Sequence, residues 1–311
     1  MHLGLTPWHT DRSAQALIEQ ASFAEHLGYE SFWLPENHFD NDAIPDPLML
    51  LASIAGAATQ IKLATTSYLL PLRHPLQAAE QVAVLDQLSG GRLILGVGRG
   101  VGTNMLKAFN VQPQQKRERF ESNLKLMIEA WSGANLATGG DPTSTVVLHP
   151  LPIQKPHPQI WVAAFGPKAL AQAGRLGLPY LASPLETLDE LENNFSLHNQ
   201  ACQNAQQVIL TTRPIMRMVF IDNNNAGINT LRKQLQKNNA TNPWRDQHAP
   251  LDDWAIVGNE EFVRQQIAEY QQRLGMTHLI ITRLRMDDVS EQQQRESLTL
   301  IAELVDGNTR N

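Results

Sequence analysis

With 311 residues, 42 % of them hydrophobic, and a formal net charge of −6, the chain can fill a large core and lacks the basic stripe of a nucleic-acid binder. Its single cysteine, Cys202, excludes an internal disulfide framework and fits a reducing, cytoplasmic setting. No run reaches the roughly 18 apolar residues of a membrane helix, and the first residues lack the basic-then-apolar pattern of a secretory signal.

The predicted elements alternate along the chain. Short apolar runs come first at "HLGLTPW" and "SFWLPE", then at "KLATTSYLL", "RLILGVG" and "QIWVAA", and finally at "PYLAS", "PIMRMVFI" and "THLIITR". They are continuous rather than alternating, the pattern of parallel strands buried on both faces. Helical spacing lies between them. Ala14, Leu17, Ile18, Ala21 and Ala24 share one face, and Val263, Ile267, Tyr270 and Leu274 share another. "EHLGYESFWLPE", "GRLGLPYLAS" and "QRLGMTHLIITR" repeat one junction: a helix end, Leu-Gly, then a strand. Gly28, Gly177 and Gly275 sit where a helix must stop, and glycine takes the left-handed conformation there at little cost. Strand followed by helix, eight times over, predicts a (β/α)8 TIM barrel of one domain. Residues 132–158 and 240–259 break the repeat and are expected as insertions, the second as an active-site lid.

A barrel of this type carries its chemistry at the C-terminal ends of its strands. The expected tips are 7–10, 35–40, 66–74, 96–102, 163–168, 183–184, 221–225 and 282–286. "SGGRLILGVGRG" ends the fourth strand. It is not a dinucleotide fingerprint, because Val101 and Thr103 stand where the third glycine is required, and no G-x-x-x-x-G-K-[ST] occurs in the chain. Gly96, Gly98 and Gly100 instead bare the strand tip. That admits something flat and wide, or it answers a packing constriction. Arg99 among them is placed to meet an anion. In "WVAAFGPKAL", Gly166 is expected as an N-cap and Pro167 as the first helical residue, leaving the amides of Lys168 and Ala169 for a phosphate. "WLPENHFD" puts Glu36, Asn37 and His38 at the second tip, where His38 suits proton transfer or hydrogen bonding to a polar ring. No metal-ligand spacing is present: there is no C-x-x-C, H-E-x-x-H or His-x-His on the first strand. That disfavours a metal-dependent barrel hydrolase.

"WLPENHF" followed by "LATTSYLLPLRHPLQAAEQVAVLDQLSGGRLILGVGRG" strongly resembles the bacterial luciferase-like monooxygenases. "PIQKPHPQIWVAAFGPKALAQAGRLGLPYLAS" and "AIVGNEEFVRQQIAEYQQRLGMTHLIITR" are similar to the same family, so the likeness runs from Met1 to about Arg285. It implies an α/β barrel binding reduced FMN, or in one branch a deazaflavin, and using O2 to oxidise a small organic substrate. Reduced flavin comes from a separate reductase, and such proteins are often dimers. By resemblance Arg99 holds the flavin phosphate, Gly98 lies near the reactive carbon of the ring, and Thr66–Ser67 forms a cis peptide beneath it. Phe165 and Gly166 match backbone phosphate contacts. Asn37 stands where luciferase has its catalytic histidine, and His38 matches the histidine after it. Asparagine is no base at neutral pH, though it can orient the flavin by hydrogen bonds, so light emission from a long-chain aldehyde is not expected. Trp8, Tyr68 and Trp161 are candidates to pack around the ring or to fill the core. Two other readings remain open: a deazaflavin-dependent dehydrogenase, and a flavin-binding protein without catalysis.

Overall fold

The computed structural model describes residues 1–138, 141–284, 286 and 289–309. In chain order the elements are β1 (His2–Leu5), α1 (Ala14–His26), β2 (Ser31–Leu34), α2 (Pro47–Ala55), β3 (Lys62–Thr65), β4 (Tyr68–Leu69), α3 (Pro75–Leu88), β5 (Leu93–Gly98), α4 (Thr103–Ala108) and α5 (Lys116–Trp131). Then follow β6 (Leu136–Thr138), β7 (Asp141–Val146), β8 (Gln159–Ala163), α6 (Pro167–Arg175), β9 (Tyr180–Leu181), α7 (Leu188–Asn204), β10 (Pro214–Ile221), α8 (Asn225–Asn239), β11 (Ala255–Gly258), α9 (Glu260–Leu274), β12 (His278–Thr282) and α10 (Glu291–Thr309). The residues group into two compact units: Met1–Thr10 with Phe23–Ser31 and Ala164–Asn311, and Asp11–Ser22 with Phe32–Ala163.

In the first unit the sheet order is β11-β10-β12-β1. The pairs are parallel, with Leu3 beside Leu279, Ile215 beside Leu279 and Phe220 beside Val257. β9 joins β10 through a bridge between Ala182 and Ile215. In the second unit the order is β2-β3-β5-β8. Every residue of β5 is buried, as expected of a parallel strand covered on both faces. All eight predicted apolar runs contain a strand of these sheets. The Leu-Gly junctions also behave as their chemistry requires: Gly28, Gly177 and Gly275 have φ of 84°, 66° and 64°. Val263, Ile267, Tyr270 and Leu274 are all buried, as are Leu17, Ala21 and Ala24, whereas Ala14 is exposed at the start of its helix.

The structure departs from the sequence reading in three places. "KLATTSYLL" is not one strand. Leu63 and Ala64 pair with Leu93 and Ile94, then Tyr68 and Leu69 pair with Val97 and Gly98, so one extra residue is taken up around the cis Thr66–Ser67 peptide. The insertion at 132–158 contains an antiparallel ribbon of β6 and β7, with Gly139 and Gly140 outside the described residues. The region 240–259 is not all excursion. Ala255–Gly258 is a fully buried strand parallel to β10, so only the stretch before it leaves the sheet. At the eighth tip, Arg285 lies outside the described residues. Among the described residues no helix is long and apolar enough to cross a membrane, and no group of three or more His, Cys, Asp or Glu could hold a metal ion.

Candidate active site

The second unit gathers most of the predicted site residues. The chain leaves β2 as Glu36-Asn37-His38-Phe39 and turns sharply at Phe39, whose φ is 69°. The Glu36 side chain is shut off from solvent. Its Oε1 accepts from Arg73 Nη1 at 2.7 Å and meets His38 Nε2 at 2.9 Å, and its Oε2 accepts from the Leu69 amide at 2.9 Å. One carboxylate therefore ties the tips of β2 and β4 together. Arg73 also lies 3.9 Å over the Tyr68 ring. The His38 ring packs against Phe109 at 4.8 Å and Phe39 at 5.8 Å. Beside it opens a cavity of about 240 Å³, lined by His38, Arg73, Gln77, Gln81, Leu72 and Phe109 among others.

Asn37 is engaged within its own loop. Its Oδ1 accepts from the Ile44 amide at 2.8 Å, and its backbone N–H donates to Ile44 O at 3.1 Å. The acceptor half of its amide is thus committed, leaving the NH2 for any ligand.

At the tip of β5, a Cβ built on Gly98 would overlap the Ser67 hydroxyl and lie 2.9 Å from the Ser67 Cβ. Glycine here is required by the Ser67 side chain, with Leu69 Cδ2 at 3.4 Å crowding it further, the packing reason given above. Arg99 follows. It donates to Ala163 O at 3.3 Å and lies 5.6 Å over Phe120. Burial, then the charge of Arg117, lowers its pKa to about 10. Lys116 donates to Gly100 O at 2.8 Å, and burial together with Arg99 and Arg117 lowers its pKa as well. Arg99 and Lys116 thus meet at one glycine-rich tip within reach of the Arg117 charge, an arrangement that an anion would relieve. Lys116 and Arg117 escaped the sequence reading. Their signal is the basic pair in "QQKRERF", which helix α5 returns to the tip from a distance.

In the first unit, Gly166 is the N-cap of α6 at φ 81°, Pro167 follows, and nothing lies within 4 Å of where a Cβ on Gly166 would sit. The Ala169 amide turns back to Gly166 O at 3.0 Å, so it is not available as expected. Phe165 is exposed. The three aromatics considered for a ring are all buried: Trp161 packs on Trp33 at 5.2 Å, Trp8 on Phe23 at 5.5 Å, and Tyr68 under Arg73.

The same unit holds a second buried carboxylate, Glu186, after β9. It accepts from the Tyr180 hydroxyl, from Asn194 Nδ2 at 2.6 Å and from the Ser183 amide at 2.7 Å. Burial pushes its pKa up to about 7, against the lowering influence of Tyr180, Ser183, Arg217 and Asn194. Two arginines hold the four successive carbonyls of this loop. Arg217 takes Ser183 O at 3.0 Å and Glu186 O at 2.7 Å, and Arg245 takes Pro184 O at 2.9 Å and Leu185 O at 3.2 Å. Arg245 also stacks 3.8 Å over Trp254.

The profile of the luciferase-like monooxygenases matches residues 3–278. The chain belongs to the luciferase-like monooxygenase family. Among characterised family members, it is 27 % identical over 212 residues to the oxygenase component of the flavin-dependent trigonelline monooxygenase of Acinetobacter baylyi, a match covering 66 % of this chain and 58 % of that one. A Streptomyces bottropensis monooxygenase superposes with a TM-score of 0.84 at 22 % identity, covering 99 % of this chain and 100 % of that one. The oxygenating constituent of 3,6-diketocamphane monooxygenase from Pseudomonas putida, a type II Baeyer–Villiger enzyme solved with FMN, gives 0.80 at 20 %, covering 98 % and 97 %. An F420-dependent secondary alcohol dehydrogenase gives 0.75 at 17 %, covering 98 % and 99 %. These likenesses establish the (β/α)8 barrel fold of the family. The chain spans between 52 % and 62 % of the length of the first curated relatives it matches.

Proposed function

We propose that this luciferase-like chain is the oxygenase component of a two-component, FMN-dependent monooxygenase that oxidises a small organic substrate with O2. The observation that carries the reading is the cation cluster at the tip of β5. Burial, then the Arg117 charge, lowers the pKa of Arg99; burial, then the charges of Arg99 and Arg117, lowers that of Lys116; and a flavin phosphate is the dianion such a cluster fits. In this reading the three side chains bind the phosphate, while Thr66, Ser67 and Gly98 line the approach of the ring. Phe165 and Gly166 are proposed as backbone contacts on the strength of the resemblance and of the open space at Gly166. His38 faces the substrate cavity, and Asn37 offers its NH2. Bound reduced flavin supplies the electrons that activate O2.

A separate flavin reductase is the partner this scheme requires, as the name of the trigonelline relative implies for its own system. A cytoplasmic setting agrees with the single, buried cysteine. A homodimer is supported by α2, whose sequence PLMLLASIA is apolar but for Ser53 and leaves Met49 73 % exposed, and by the exposed Val84 and Leu88 on the neighbouring α3. The sedimentation mass of the purified chain reads that directly. FMN is preferred to a deazaflavin because the trigonelline relative is a flavin-dependent oxygenase.

Titration of the purified chain with FMN and with F420 tests the reading, with oxygen uptake followed once reduced FMN is supplied. Saturable FMN binding is expected, weakened about ten- to a hundredfold by Arg99→Ala, the worth of one charged hydrogen bond. Binding of F420 with indifference to FMN would replace the monooxygenase by a hydride-transferring dehydrogenase. FMN binding without oxygen uptake would leave a flavin carrier.

A further inference from the structure

The Glu36 carboxylate has a consequence for its neighbour His38. Both its oxygens are engaged, and one of the donors is a guanidinium at 2.7 Å. A carboxylate can only accept hydrogen bonds. The His38 nitrogen that meets it at 2.9 Å, Nε2, must therefore carry the hydrogen. In a neutral imidazole the other nitrogen then holds a lone pair, because the hydrogen bond made by one ring nitrogen sets the state of the other. Nδ1 makes no hydrogen bond among the described residues. It is the ring nitrogen left for a guest in the cavity that His38 lines. The ring also packs at a tilt against Phe39 and Phe109, so it is braced by contacts with both rings as well as held at Nε2 by Glu36.

We propose that Glu36 is a positioning residue, locking His38 as the Nε2–H tautomer so that Nδ1 is offered to the substrate as an acceptor or base. This rests on the reading above only in assigning the cavity to the organic substrate. Arg73 is the third member: it pairs with the same Glu36 oxygen at 2.7 Å and is itself braced on the Tyr68 ring. The substrate group that meets His38 is accordingly a proton donor, an O–H or N–H. On transfer the substrate O–H or N–H bond breaks and Nδ1–H forms, the bonding pair staying on the substrate heteroatom. The imidazolium so made keeps its Nε2–H on Glu36, which stabilises the new positive charge. A cavity of about 240 Å³ limits the guest to one ring or a short chain.

Nitrogen-15 NMR of the histidine-labelled chain without flavin tests this, with the His38 signals assigned by their loss in His38→Gln. The neutral wild-type ring should show a protonated Nε2 with a downfield, exchange-protected proton and a bare Nδ1. Glu36→Gln should lose that protection. Phenol, as a small O–H probe, should shift the Nδ1 resonance, whereas anisole, which cannot donate, should not. A protonated Nδ1 in the neutral wild-type ring would overturn the inference, as would an Nδ1 blind to phenol. If Glu36→Gln does not fold, the wild-type spectra alone still decide. Because no flavin is present, the expected spectra together with failure to bind FMN would sink the functional reading and leave this one standing.

Discussion

Each of the two units buries a glutamate just past the end of a parallel strand, and the two are kept in opposite ways. Glu36, after β2, is touched directly by a guanidinium and an imidazole. Glu186, after β9, is touched only by neutral donors: a phenol, an amide side chain and a backbone N–H. The guanidinium of Arg217 lowers the Glu186 pKa through its charge, but its N–H groups go to the carbonyls of Ser183, Met216 and Glu186 and to the Tyr270 hydroxyl. Burial therefore wins at Glu186, and its pKa rises to about 7. The contrast teaches that a buried carboxylate is assigned its task by the charge of the donor in contact with it. Glu36 has a cation and an imidazole in contact with it, whereas burial among neutral donors raises the pKa of Glu186.

The harshest way to break the contrast is to take the cation from Glu36. Arg73→Met should cost about 3–5 kcal/mol in urea unfolding, since a buried charge is left without its partner. A loss under about 1 kcal/mol would mean that the pair is solvated and that Glu36 differs little from a surface acid. The second experiment acts on the other carboxylate. The native pKa of Glu186 lies near 7 against an ordinary 4.5, so between those values the folded chain keeps a proton that the unfolded chain has released. Stability should fall as pH rises through that window and level off above it, by an amount on the order of 3 kcal/mol. Glu186→Gln should abolish that fall, read as the Tm difference between about pH 4.5 and 7.5. An unchanged slope in the variant would move the titration to another group.

How much of this could be read in the sequence follows from how far each signal reaches. Parallel strands buried on both faces leave continuous apolar runs, so all eight barrel strands are legible, whereas Ala255–Gly258 hides at the end of a polar loop. The ribbon of β6 and β7 carries no such run, because much of it faces solvent: Val146 is 45 % exposed. At the site, Glu36 and His38 share one tip and can be seen together. Arg73 reaches that tip, and Lys116 the tip of β5, from other elements, and no spacing rule connects them to either. Arg217 did carry a signal. A charge inside "PIMRMVFI" contradicts a buried strand unless the fold supplies acceptors for it, and four oxygens do so.

The finest test asks whether the neutral donors around Glu186 matter at all. Tyr180→Phe removes the hydroxyl that bonds the carboxylate and keeps the ring that packs on Phe195 at 5.1 Å. Two effects should separate. At low pH, where the carboxyl is protonated, the variant loses about 1 kcal/mol, the net worth of one hydrogen bond. The Tyr180 hydroxyl also favours the ionised carboxylate, so without it the Glu186 pKa should climb above the wild-type value of about 7. The fall in stability with rising pH should then continue past the point where the wild-type curve levels off. Levelling at a lower pH than in the wild type would show that the hydroxyl favours the protonated acid instead. Burial and the hydroxyl would then act together to keep the Glu186 proton, and the contrast with Glu36 would no longer rest on the charge of the donors alone.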